Sequence, residues 1–114
     1  MAKYESKLVG DFDQVIGAID AGILRGSLSA SREDASDFVC GAVRCAVRVY
    51  ERYSMLGKNR VSLNVTLAGE GKELFLSAVT SGGSQAVFFK INTFGEEAFL
   101  KHIVDIVAAY KEGR

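Results

Sequence analysis

Cysteine, histidine and unbalanced charge are all scarce in this 114-residue chain, which has two cysteines, one histidine and a formal net charge of zero. Cys40 and Cys45 are too few for a disulfide framework and show neither C-x-x-C spacing nor a nearby histidine. Reduced thiols buried in the core are therefore expected, which suits the cytoplasm. Lys plus Arg and Asp plus Glu are equal at 14 each, which removes the non-specific attraction to nucleic acid or anionic membrane that a basic excess supplies. Any basic function has to be local. No run approaches the roughly 20 apolar residues of a membrane span, and the opening MAKYESKLVGDF lacks an apolar core of signal-peptide length. No catalytic or metal signature stands out, so no cofactor, metal or catalytic residue is expected.

What is there is enough to fold. The chain is 48% hydrophobic, and its length fits one domain spanning residues 1–114. From Gly41 to Ser54, Val43, Cys45, Val47 and Val49 alternate with Arg44, Ala46, Arg48 and Tyr50, which predicts a long half-buried strand with the valines inward. Before it, Phe12, Val15, Ile16, Ile19 and Ile23 fall on one helical stripe between an Asp11 cap, with Gln14 three residues on, and a Gly26 stop. The segment SLSAS suggests a short edge strand, with Arg32 to Ser36 as an acidic turn beyond it. After the long strand, Arg60 to Leu67, Leu74 to Val79 and Ala86 to Asn92 read as further strands joined by short turns, hence antiparallel neighbours. A broad apolar helix opens at Thr93, with Glu96 as its capping partner, and carries Phe94, Phe99, Ile103, Ile106 and Tyr110. The expected fold is α+β, a four- to five-stranded antiparallel meander with an N-terminal and a C-terminal helix on one face, in the order α-β-β-β-β-β-α.

DFDQV, RCAVRVYERYSM and SGGSQAVFFKINTFGEEAFL carry a resemblance, over nearly the whole chain, to a family of small bacterial proteins of unknown function. The resemblance implies a bacterial cytoplasmic protein and supplies no activity. The run of strands before a terminal apolar helix also resembles the helix-grip ligand-binding folds, although the helices expected between their first strands are absent.

Several constellations invite a chemical reading. Glu33, Asp34 and Asp37 cluster without the glycine and terminal glutamate of a calcium loop, and read as a solvated turn. His102 stands one turn from Asp105 with no nucleophile to serve, and reads as a surface histidine. Thr80 to Gln85 is glycine-rich but leads into a strand, not into a helix whose amides would hold phosphate. Arg44, Arg48, Tyr50 and Arg52 share one face of their strand. Placed outward beside Arg60, Ser62, Asn64 and Thr66, they would offer donors and a ring to a small anionic ligand; nucleic acid is disfavoured by the zero net charge and the missing RNA-binding signature. Finally, Phe75, Val79 and Phe88 are left outside when their neighbours point to the helices. Strands apolar on both faces mark a contact surface, so a non-enzymatic homodimer is the leading expectation and anionic-ligand binding the alternative.

Overall fold

The structure, a computed structural model, describes residues 2–26, 29–54, 59–82, 100–108 and 110. Its elements are β1 (Ala2–Val9), α1 (Phe12–Gly26), β2 (Ser31–Cys40), β3 (Val43–Ser54), β4 (Asn59–Glu70) and β5 (Glu73–Gly82), followed by helical residues 100–108 and 110, here α2. All ladders are antiparallel, and the sheet order is β1-β5-β4-β3-β2. Four antiparallel steps separate the edges, so β1 and β2 run in the same direction and α1 connects them from one side of the sheet to the other.

The α+β class, the five antiparallel strands and the two helices are as expected, but a strand precedes the first helix and the fifth strand comes from elsewhere. Ala2–Val9 supplies it by pairing with β5, while of the SLSAS segment Ser31 is the first residue of β2 and Ser27 and Leu28 lie outside the described residues. The acidic stretch expected to turn instead lies within β2, where a bulge falls between Arg32 and Asp34. Gly41, expected to open the long strand, is instead the first residue of the Gly41-Ala42 turn before β3, at φ +62°. The expected strand Ala86 to Asn92, the cap at Thr93 and Gly83 to Gln85 lie outside the described residues.

Local chemistry sets each helix. The Asp11 carboxylate accepts a hydrogen bond from the Gln14 amide at 3.0 Å, satisfying one of the orphan donors at the start of α1. Phe12, Val15, Ile16, Ile19 and Ile23 are its buried stripe. They meet Val61, Leu63, Val65 and Leu67 of β4 and Leu74, Leu76 and Ala78 of β5 in one core with Leu100, Ile103 and Val107 of α2. Each fully buried side chain of this size stabilises the fold by about 1.5–3 kcal/mol. The two helices run antiparallel, because a side chain at Gly10 would meet Tyr110, at Gly22 would meet Ile106, and at Gly26 would lie 2.8 Å from the His102 ring. Gly22 therefore trades helix propensity for close approach. Thr80 is the one buried polar residue among those described; its hydroxyl accepts from the Ala2 amide at 3.2 Å and donates to the Ala2 carbonyl at 3.3 Å, pinning the start of β1 to β5.

Candidate functional site

Directly opposed residues in an antiparallel ladder share a face, so the register decides where every candidate side chain points. Arg44, Ala46, Arg48, Tyr50 and Arg52 oppose Gly69, Leu67, Val65, Leu63 and Val61. The four candidate ligand residues do share a face, but it is the one that carries the helices, not the outward one. Arg60, Ser62, Asn64 and Thr66 point the other way, so the combined donor surface expected from the sequence is not assembled.

On the helix side these side chains staple α1 and β2 to the sheet. Arg44 donates to Asp13 of α1 at 2.7 Å and lays its guanidinium 4.3 Å from the centre of the Phe12 ring. Its hydrogen bond draws the Asp13 carboxyl below the usual carboxylate range, and the same bond raises the guanidinium. Tyr50, fully buried, donates to Asp20 at 2.9 Å, and Arg32 donates to the same oxygen at 3.2 Å. Burial, and then the bond to Asp20, push the Tyr50 hydroxyl upward, so it remains a neutral donor. Arg48 spans the β2–β3 seam, reaching the carbonyls of Val47 and Ser36 and the Asp37 carboxylate. Arg52 is also partly enclosed, and burial lowers its pKa. The acidic residues have structural partners too, Glu33 with Arg60 and Asp37 with Arg48.

His102 is not the surface histidine expected. Its ring packs over Gly26, and burial followed by the nearby Arg52 charge hold its pKa below the ordinary value of 6.5. Asp105 is held by Lys101 at 3.1 Å. Neither cysteine is in the core: Cys40 is exposed and Cys45 half-buried, because the odd positions of β3 face away from the helices and Cys40 opposes Val43.

The face away from the helices carries what remains. It reads in cross-strand rows. One row is Lys7, Phe75, Ala68, Cys45 and Phe38. Toward the two tight turns lie Val9, Glu73 and Glu70, beside the Val43–Cys40 pair. In the other direction come Glu5, Ser77, Thr66, Val47 and Ser36, then Lys3, Val79, Asn64, Val49 and Asp34, then Ser81, Ser62, Glu51 and Ser31, and last Arg60 with Tyr53. Phe75 and Val79 thus point away from the helices as the sequence pattern requires; Phe88 lies outside the described residues. Val9, Phe38, Val43 and Phe75 are 48%, 50%, 37% and 42% exposed. A groove of about 590 Å³ near the tight turns is lined by Val9, Val43, Ala68, Phe75, Glu70 and Glu73 of this face, and also by Leu8, Gly69 and Leu74, which alternate with them. Sequence reasoning found Phe75 and Val79 through strand alternation, but missed Val9, Phe38 and Val43, because the strands that carry them were placed elsewhere or with the opposite face inward.

This is a small α+β protein in which the sheet face opposite the described helices carries an apolar belt. The chain belongs to a family of unknown function (DUF6054), matched over residues 1–111. No curated protein and no solved structure matches it. Among the described residues no helix is long and apolar enough to cross a membrane.

Proposed function

We propose that the protein is a non-enzymatic homodimeric interaction module whose contact surface is the sheet face opposite the helices. The observation that carries this reading is the belt of exposed Val9, Phe38, Val43 and Phe75 on that face. An antiparallel sheet covered by helices on one side leaves its other side to water, where polar residues belong, and grouped large apolar side chains there are stabilised by a partner that dries them. The alternative, an anionic ligand on Arg44, Arg48, Tyr50 and Arg52, gains less support: Arg44, Arg48 and Tyr50 spend their donors on Asp13, Asp37 and Asp20. An exposed Cys40 thiol fits the reducing cytoplasm as the setting. Native mass spectrometry reports subunit count and retained ligand together. Two chains without ligand is the expected species; a single chain carrying a small anion would favour the alternative.

A further inference from the structure

We propose that Cys40 and Cys45 form a two-coordinate site for a soft cation, copper(I), on the open face at the turn end of the β2–β3 hairpin. The site does not depend on self-association.

The register brings the two thiols together. Cys40 opposes Val43 and Phe38 opposes Cys45, and directly opposed residues share a face. The four side chains therefore make a square on the open face, with the cysteines on one diagonal and Phe38 and Val43 on the other. The spacing of the cysteines in sequence does not place them so; the two-residue Gly41-Ala42 turn between the strands does. Two devices hold the square in shape. The ladder runs without a register shift from Asp34 to Cys40, and Arg48 of β3 ties the strands by donating to the Asp37 carboxylate at 3.0 Å and to the Ser36 carbonyl at 3.5 Å. Cys40 is exposed and Cys45 half-buried, so a cation enters from solvent at Cys40.

Distance selects a bridge over a disulfide. Diagonal neighbours on an antiparallel pair lie about 7–8 Å apart at Cα, beyond the roughly 4.4–6.8 Å that a disulfide spans. A sulfur–metal–sulfur bridge is longer, since two metal–thiolate bonds of about 2.3 Å, the zinc value, replace one sulfur–sulfur bond of about 2.05 Å. The sulfurs then stand roughly 2.5 Å further apart than in a disulfide, which covers the difference.

Ligand type and number select the metal. Thiolates are soft donors that favour copper(I), zinc and iron–sulfur clusters. Zinc takes four ligands, and among the described residues no three His, Cys, Asp or Glu side chains gather where they could hold a metal. Phe38 and Val43, 50% and 37% exposed, flank both sulfurs and add only carbon. Copper(I), which is satisfied by two thiolates in line, fits such a pair, and the apolar flanks limit the access of water to the metal. As it binds, each thiol gives its proton to solvent and two sulfur–copper bonds form. No electron is transferred, and the bis-thiolate complex carries a charge of −1.

Copper(I) supplied anaerobically as its coloured bicinchoninate complex to the reduced chain tests the site, with loss of colour as the readout. Wild type should withdraw one copper(I) per chain. Losing a ligand should exceed the about 10–100-fold cost of losing an outer-shell partner, so Cys40→Ser and Cys45→Ser should each weaken binding at least about a hundredfold. Cys45→Ser with Val47→Cys keeps two thiols on the open face but sets them about 13–14 Å apart, on strands rising 3.2–3.4 Å per residue, and should bind no better than Cys45→Ser alone. Circular dichroism verifies that each variant is folded. A wild type that leaves the coloured complex intact, a serine variant or a moved pair that binds like wild type, or one copper shared between two chains would overturn the diagonal site.

Discussion

Asp20 serves two elements at once, accepting from Tyr50 on β3 and Arg32 on β2 while standing on α1. Tyr50→Phe removes one hydrogen bond to a carboxylate that keeps its second donor and is 27% exposed, so a loss of about 1 kcal/mol in urea unfolding is expected. Asp20→Ala should cost more, because it leaves a buried phenol without its acceptor. A loss from Tyr50→Phe as large as from Asp20→Ala would contradict this division. At His102 the consequence is a pH dependence. The folded-state pKa lies below the ordinary 6.5, so as pH falls through that value the unfolded chain binds a proton that the folded chain still refuses. Stability is then complete above about pH 6.5 and declines below it. At fixed protein concentration, wild type should lose more stability than His102→Leu between pH 7.5 and 5; equal slopes would mean that burial does not hold the imidazole neutral.

At the scale of elements, the helix layer depends on the close approach at Gly22. A side chain there would occupy the space of Ile106, and Gly22→Val should destabilise by about 1–3 kcal/mol through overpacking, whereas Gly17→Val, where a Cβ meets nothing within 4 Å, should change stability far less. Thermal or denaturant unfolding of the two variants side by side decides it. Elements with one strongly apolar side were legible in the sequence: α1 to within two residues, with its Asp11 cap, and the Val61–Leu67 alternation of β4. β1 was not, since AKYESKLV sets Lys3, Glu5 and Lys7 against Ala2, Tyr4 and the polar Ser6, and its partner β5 lies about 70 residues away in sequence. Nor was β2, exposed at nine of its ten positions, because an edge strand with no buried face has nothing to impose alternation. β3 was read with its faces exchanged. Its valines and cysteine look like the buried set, but its parity is fixed by pairing with β4 and by carboxylates that α1 brings over Arg44 and Tyr50. Neither can be read from β3 alone. Phe75 and Val79 were legible because strict alternation along β5 leaves them no other face.

For the whole molecule, the described helices lie on one side of the sheet, and the other carries the exposed apolar belt of Val9, Phe38, Val43 and Phe75 on which the proposed contact rests. Burying side chains such as Phe75 stabilises an assembly by about 1.5–3 kcal/mol each, whereas a carboxylate introduced there would have to be desolvated at the interface and would leave the core untouched. Phe75 and Val79 point away from the helices, so Phe75→Asp with Val79→Asp should preserve the fold while abolishing assembly. The most direct measurement is sedimentation equilibrium of wild type and of this double variant at micromolar concentration, with circular dichroism to verify that both are folded. A dimeric wild type and a folded monomeric variant are the predicted result; a wild type already monomeric, or a variant that still dimerises, would contradict the assignment of the open face.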